Sequence, residues 1–436
     1  MRRFLAAGLL TAALVAPAAS AAAEPDPVSG HGLTVTDTTR PHERIVETTV
    51  STAALEKPVR IRVVLPEGYD ATAKRYPVLY LYHGTSGRPS DWTGAGDALR
   101  TSEGKDVILV LPEAGYDGNG GGWFVNWVNP LGTRQMWETF ELDQVIPWVD
   151  ANYRTVADRD HRAIAGLSQG GFGAMHAAAR RPDQFTSVAT FSGAPEIYRD
   201  PVVRAGASLV IEGTNVALNG GQPFQMFGDP VLNGVHWQGH DPGTLVENLR
   251  GMDINLWTAT GLPGERDTLQ SGLSVSGNVI ESLTHLSNQA FRGHLRQAGI
   301  PHHFDNYVFG THSFPYWAQD LREYLPGLMD RFASPSTPSS ITYSSIDKAY
   351  TQWGWGVLVQ RRPAERLTTL SGADAAGFGF VGGDPATVVT PPLYAPGAVK
   401  SIRLTRYTST STRNVTADAS GRLTIAVPGT STVSIG

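Results

Sequence analysis

Residues 162–175 read RAIAGLSQGGFGAM and form the most informative segment of the chain. A short apolar run leads to Ser168, with Gly166 and Gly170 flanking it at the second neighbours, and an alanine-rich stretch follows. This Gly-x-Ser-x-Gly pattern is typical of a sharp strand-to-helix turn that exposes a nucleophilic serine. A Cβ at either glycine would collide with the adjoining strand or helix, because the turn is tight and strained. A glycine-rich turn with an incidental serine is the alternative, but the flanking strand and helix patterns favour a nucleophile.

The amino terminus has the composition of a secretory signal peptide, which we assign to residues 1–23. Arg2 and Arg3 supply a basic start, residues 4–15 are apolar, and small residues at 19–23 offer a cleavage site. The apolar run is too short to span a membrane comfortably, and Pro17 interrupts it. We therefore expect a protein that is secreted or held at the cell wall, without an integral membrane segment in the mature chain.

Composition and length restrict the possible functions further. The chain of 436 residues carries a formal net charge of −5 and contains no polybasic stretch, which argues against binding to nucleic acids or anionic membranes. Cysteine is absent, so disulfides and cysteine zinc sites are excluded. The length accommodates one large domain and one smaller domain.

Strand and helix patterns alternate through residues 44–332, after a segment at 24–43 that we interpret as a leader. Residues 214–241 show no clear period and are interpreted as an inserted cap. Strands that alternate with helices predict an α/β domain with a mostly parallel sheet, of the α/β-hydrolase fold. Besides the strand before Ser168, the predicted strands are 44–50, 59–65, 76–82, 106–111, 187–193, 254–260 and 303–309, and the main predicted helices are 134–153, 278–298 and 315–332.

A change of character follows at residues 333–340, which read ASPSTPSS and have the composition of a linker. Residues 341–436 contain short strand candidates separated by turns and show no helical period. They predict a small all-β accessory module, with a sandwich as the natural architecture. Trp353 and Trp355 lie close together in its first strands, where they either belong to the core or contact a substrate or the cell wall.

A serine nucleophile needs a base, usually histidine, and an acid that orients the histidine and stabilises its charged form. In α/β-hydrolases the histidine follows the last strand of the sheet. His312 occupies that position, whereas His302 and His303 begin the last strand and lie at its other end. These two histidines also lack carboxylate partners for a metal site. We therefore expect no metal and no cofactor.

The oxyanion of the reaction needs backbone N–H groups that point at the developing charge. One N–H comes from the residue after the nucleophile, which is Gln169. The other comes from the loop after the third strand, which reads His83-Gly84-Thr85 and makes Thr85 the expected donor.

The turn around Ser168, the His-Gly loop and the segment GTHSFPYW at 310–317 together resemble the secreted esterase and mycolyltransferase family of the antigen 85 type. The likeness extends from about residue 44 to residue 332. Further segments that carry it are WETF at 137–140, RPDQF at 181–185, FGDP at 227–230 and HDP at 240–242. The resemblance implies that the acid is Glu281, at the start of the helix before the last strand. From the fold alone, Glu265 and Asp267 in the preceding loop remain alternatives.

The chain also departs from the transferase pattern. His83 stands where those transferases have aspartate, Gln169-Gly170-Gly171 replaces a different triplet, and the all-β tail is additional. These departures favour a hydrolase over a mycolyltransferase. The sequence leaves open whether the ester substrate is a small molecule, a lipid or a polysaccharide. An acyltransferase with the same acyl-enzyme is the alternative, and a non-catalytic cell-wall-binding protein is a third hypothesis, against which the intact Ser168 and His312 argue.

Overall fold

The computed structural model describes residues 25–436 apart from Asp117 and Arg362, so the predicted signal peptide lies outside the described residues. Its larger part is built on a sheet of nine described strands in the order β1-β2-β3-β5-β4-β6-β7-β8-β9. The first three strands are antiparallel, and all pairs from β5–β4 to β8–β9 are parallel. The bounds are β1 Leu33–His42, β2 Ile45–Thr52, β3 Val59–Val64, β4 Val78–Tyr82, β5 Ile108–Pro112, β6 Arg162–Leu167, β7 Ser187–Phe191, β8 Asp253–Thr258 and β9 His303–Asn306. The α/β-hydrolase prediction is confirmed.

Helices cover both faces of this sheet, which explains why its central strands are almost continuously apolar. In β4, Tyr80 and Tyr82 pack into the core on one face, and Leu79 and Leu81 pack into the core on the other. The described helices are α1 Pro89–Thr93, α2 Ala98–Thr101, α3 Ile146–Asn152, α4 Gln169–Arg180, α5 Pro201–Gly213, α6 Gly234–His240, α7 Leu269–Gly272, α8 Val275–Gln297 and α9 Phe314–Ala333. A π-helical stretch, Thr139–Val145, runs directly into α3.

One prediction for this part was wrong, and a second was incomplete. The leader assigned to 24–43 contains the edge strand β1, which pairs with β2 although most of its side chains are exposed. The patternless cap at 214–241 ends in helix α6, and the helix α5 precedes it. The start of α5 carries a sequence signal, because Asp200 and Pro201 are typical of the first positions of a helix. In the structure, Asp200 caps the helix by accepting hydrogen bonds from the N–H groups of Val202 and Val203.

The carboxyl-terminal part is all-β, as the sequence predicts. Its described strands form one sheet in the order β10-β13-β14-β19-β16-β17 and a second in the order β11-β12-β15-β18. Side chains of both sheets share one hydrophobic core, so the module is a sandwich. The strands are β10 Ile341–Ser345, β11 Ala349–Gln352, β12 Trp355–Val359, β13 Thr368–Asp374, β14 Gly377–Val381, β15 Ala386–Val389, β16 Val399–Arg406, β17 Ser409–Thr416, β18 Thr424–Val427 and β19 Ser431–Ile435.

The two tryptophans of this module do not share an exposed face. Trp355 is buried in the sandwich core. Trp353 lies in the turn between β11 and β12, where its backbone N–H donates to Asp183 at 2.9 Å and its ring lies 4.8 Å from the guanidinium of Arg159. Both contacts join the sandwich to the α/β part of the chain.

Candidate active site

Ser168 occupies a strained turn between β6 and α4, with φ 54° and ψ −123°. The flanking glycines are required by close backbone contacts. A Cβ on Gly166 would lie 2.3 Å from the carbonyl oxygen of Gly170, and a Cβ on Gly170 would lie 2.4 Å from the carbonyl oxygen of His83. Neither contact leaves room for a side chain. The turn therefore presents Ser168 at the carboxyl end of the central strand, as the Gly-x-Ser-x-Gly pattern predicts.

His312 lies in the loop between β9 and α9 and contacts Glu281 of α8. Its Nδ1–H donates to Oε2 of Glu281 at 2.7 Å. The other oxygen, Oε1, accepts hydrogen bonds from Oγ of Ser192 at 2.9 Å and from the N–H of Ala259 at 2.8 Å. The Glu281 side chain is 0% exposed, so these three donors supply the polar contacts that the buried carboxylate needs.

The second ring nitrogen of His312 is left available. Its Nε2 is buried and has no hydrogen-bond partner among the described residues. The ring centroids of His312 and Trp317 lie 4.9 Å apart, and the two ring planes are 84° apart. His312 and Ser168 both line one cavity, so the structure brings the predicted base and nucleophile to a common site.

The two alternative acids lie elsewhere. Asp267 accepts hydrogen bonds from the N–H of Gly264, from Ser271 and Tyr316, and from the hydroxyl of Thr311, the residue before His312. Burial alone would raise the pKa of Asp267, but these hydrogen bonds outweigh it and lower the pKa. Asp267 therefore anchors the histidine loop and makes no hydrogen bond to the ring. The Glu265 side chain is 86% exposed and lies 3.7 Å from Arg266.

Thr85 and Gln169 also line this cavity. Gln169 is the first residue of α4, and neither its N–H nor that of Thr85 donates to another described residue. The Thr85 loop lies against the serine turn, since a Cβ on Gly84 would lie 3.1 Å from the Cβ of Ser168. Both N–H groups are therefore available at the cavity that holds the serine, as the predicted oxyanion site requires.

His83, the departure from the transferase pattern, has a structural role. Its Nδ1–H donates to the carbonyl oxygen of Gly84 at 2.8 Å, and its Nε2 accepts from the N–H of Ala114 at 3.0 Å. Burial lowers the pKa of His83, which favours the neutral ring that these two contacts require. The imidazole thus fixes the Thr85 loop to the segment after β5.

The cavity has a volume of about 580 Å³, and its wall is mostly apolar, although Ser86, Asp91, Glu196, Thr214, Thr284 and Ser287 also line it. Helices α5 and α8 supply most of its apolar wall. The wall residues from these helices are Val202, Val203, Gly206, Ala207, Val210, Ile280, Leu283 and Leu286. Sequence reasoning missed the contribution of α5, because that segment was not recognised as a helix.

A strained serine, a histidine paired with a buried carboxylate and two free N–H groups on this fold define an α/β-hydrolase. The sequence matches the Putative esterase family over residues 52–328, and the chain belongs to that family. Esterase Rv1288 of Mycobacterium tuberculosis is 32% identical over 294 residues, which are 65% of this chain and 59% of that protein. The chain thus spans less than two thirds of that relative.

Two further comparisons confirm the resemblance to the antigen 85 type. The diacylglycerol acyltransferase/mycolyltransferase Ag85B of Mycobacterium leprae is 28% identical over 265 residues, which are 58% of this chain and 76% of that protein. The crystal structure of Mycobacterium tuberculosis MPT51 has a TM-score of 0.51 and 22% identity, and the match covers 65% of this chain and 97% of that one. This structural likeness concerns the fold. Among the described residues, no helix combines the length and apolar character needed to cross a bilayer.

Proposed function

We propose that this protein is a secreted serine esterase that hydrolyses carboxylic esters with Ser168, His312 and Glu281 as its catalytic triad. The observation that carries the proposal is the 2.7 Å hydrogen bond from Nδ1 of His312 to the fully buried Glu281, beside a serine in a strained turn. That bond places the ring proton on Nδ1 and leaves Nε2 to accept the proton of Ser168. The signal-like residues 1–23 support export.

The reaction follows from these positions. Oγ of Ser168 attacks the ester carbonyl carbon while Nε2 of His312 takes its proton, and Glu281 stabilises the imidazolium. The N–H groups of Thr85 and Gln169 hold the oxyanion. The tetrahedral intermediate collapses to an acyl-enzyme as His312 returns the proton to the departing alcohol. A water molecule then attacks the acyl-enzyme carbonyl while Nε2 of His312 takes its proton. His312 returns that proton to Oγ of Ser168 as the acid is released.

The cavity supports an ester with an apolar acyl group. The aliphatic side chains of α5 and α8 line a space of about 580 Å³ that opens on Ser168, within the size range of small-molecule sites. Burial of an acyl chain is favourable by about 0.8 kcal/mol per methylene. We therefore expect the catalytic efficiency to rise with acyl length until the cavity is filled.

An acyltransferase is the second candidate, favoured by the similarity to a protein named as a diacylglycerol acyltransferase/mycolyltransferase. It uses the same acyl-enzyme, with a sugar or glycerol hydroxyl in place of water. Product analysis separates the two. Purified protein is incubated with a panel of esters of increasing acyl length, with and without glycerol or trehalose. Free acid in both conditions supports the esterase, and an acylated acceptor supports the transferase. No turnover of any ester by folded protein would contradict both.

A further inference from the structure

A buried cluster of Glu138, His176 and His240 lies outside the candidate active site. Glu138 precedes the π-helical stretch, His176 lies in α4 and His240 ends α6. Their side chains are 5%, 1% and 6% exposed. Each residue offers one ligand atom, and these three atoms all lie within 4.8 Å of one another. These are two imidazoles and a carboxylate that converge on one point of the interior.

Hydrogen bonds at the far side of each ring fix the proton positions. Nδ1 of His176 lies 3.2 Å from the carbonyl oxygen of His240, and Nδ1 of His240 lies 2.9 Å from the carbonyl oxygen of His236. A carbonyl only accepts, so each Nδ1 carries the proton and donates it. In a neutral ring, the Nε2 atom that faces Glu138 is then unprotonated, and its lone pair can bind a metal ion. This is the arrangement in which metal-binding histidines are oriented by backbone carbonyls.

The spacing of the converging atoms fits an ion better than a hydrogen bond. Nε2 of His176 lies 3.4 Å and Nε2 of His240 lies 3.7 Å from Oε2 of Glu138. A charge-assisted N–H···O bond is shorter, about 2.7–2.9 Å. Zinc bonds of about 2.0–2.1 Å in a tetrahedral arrangement place neighbouring ligand atoms about 3.3 Å apart. In addition, Nε2 of His176 is buried without any hydrogen-bond partner in the described part of the chain.

The surrounding charges also suit a cation. Arg180 donates from Nε to Oε1 of Glu138 at 3.1 Å, which leaves Oε2 to the histidines. The same guanidinium lies 3.0 Å from Asp347 of the sandwich. Arg180 thus divides its donors between the buried Glu138 and Asp347, whose side chain is 34% exposed, and only one oxygen of Glu138 is taken up by the guanidinium.

We propose that Glu138, His176 and His240 bind a Zn²⁺ ion. The ion joins the helix that begins at the nucleophile to α6 and to the segment before the π-helical stretch. Its role is structural, since the three ligands are buried and none of them lines the cavity of Ser168. Two histidines and one glutamate are a known ligand set for zinc, in which a water molecule would complete the tetrahedral coordination.

The test measures metal binding by the full-length protein. Zinc content is determined after dialysis against Zn²⁺, both directly and after unfolding and refolding in Zn²⁺, and the thermal midpoint is compared in Zn²⁺ and in EDTA. Co²⁺ substitution adds the visible absorption of a tetrahedral nitrogen and oxygen site. We expect about one ion per chain and a higher midpoint with Zn²⁺, because a ligand that binds only the folded state stabilises it.

Three variants locate the ion. His176→Asn and His240→Asn keep a side-chain N–H near the Nδ1 position but lose Nε2, and Glu138→Gln removes the ligand charge. Each should weaken Zn²⁺ binding at least about tenfold. The matched control is His302→Asn, since Nδ1 of His302 also donates to a backbone carbonyl, that of Ile300 at 2.9 Å.

The control should bind zinc like the parent protein. The proposal would be overturned if the folded parent protein took up no zinc and had the same thermal midpoint in Zn²⁺ and in EDTA. This test does not depend on whether the variants fold. Unchanged affinity in all three variants would overturn it as well, since the ion would then bind elsewhere.

Discussion

Glu281→Gln separates the charge of the proposed triad acid from its shape. In the parent protein, Oε1 accepts from both Ser192 and the N–H of Ala259. These donors require an acceptor, so the amide oxygen of the glutamine stays with them and its NH₂ group takes the place of Oε2. That NH₂ faces Nδ1 of His312, which then accepts a hydrogen bond and holds its proton on Nε2. The ring is left in the tautomer that cannot take the proton of Ser168.

The expected loss in kcat is about two to four orders of magnitude, and a comparable tautomer change in a serine protease triad lowers kcat by about 10⁴. This corresponds to about 2.7–5.4 kcal/mol of transition-state stabilisation, at 1.36 kcal/mol for each factor of ten. KM should change little, because the carboxylate is fully buried and does not contact the cavity. The assay is the steady-state hydrolysis of a soluble p-nitrophenyl ester, with circular dichroism as the check on folding.

Asp267→Asn is the matched control, since it also replaces a carboxylate next to the histidine loop by an amide. Asp267 bonds to Thr311 and not to the ring of His312. We expect this variant to lose less than about tenfold in kcat. A larger loss in Asp267→Asn than in Glu281→Gln would refute the assignment and move the acid to Asp267.

Three further predictions concern the nucleophile, the sandwich and acid stability. Ser168→Ala should lower kcat by several orders of magnitude and leave the thermal midpoint nearly unchanged, which kinetics and calorimetry check. Deletion of 334–436 should leave small-ester turnover per folded molecule unchanged. It should lower the thermal midpoint, because it removes Asp347, the partner of the buried Arg180. Loss of turnover in a folded truncation would contradict this prediction. Folding lowers the pKa of Asp267, so this carboxylate stabilises the protein at pH values above its unfolded pKa of about 3.8, and the stabilisation is lost as the pH falls further. In urea unfolding, Asp267→Asn should therefore lower the free energy of unfolding at pH 7 and lower it less near pH 3.

Much of the site could be predicted because its signals are local in sequence. The two glycines around Ser168 are dictated by backbone contacts of 2.3 Å and 2.4 Å, and the chain order of the fold selects His312 among the histidines. Glu281 was different. Residue patterns left Glu265 and Asp267 open, and only the family resemblance selected the residue that contacts His312. Buried polar contacts across more than thirty positions have no local signature.

The parts that sequence reasoning missed depend on distant partners. Strand β1 has an exposed, polar face, and its backbone pairing with β2 makes it a strand. Helix α5 follows a readable Asp-Pro capping signal, but its small and β-branched residues give a weak helical pattern. The cluster of Glu138, His176 and His240 joins positions far apart in the chain, so no spacing rule could reveal it.

Ser168 is the proposed nucleophile, and His312 is the proposed base that activates it. The most direct measurement is reaction of the purified protein with a fluorophosphonate probe, followed by mass spectrometry of the labelled peptide. We predict a single adduct on Ser168, much slower labelling of His312→Ala, and normal labelling of the linker control Ser334→Ala. A folded protein that stays unlabelled, or an adduct on any residue other than Ser168, would contradict it.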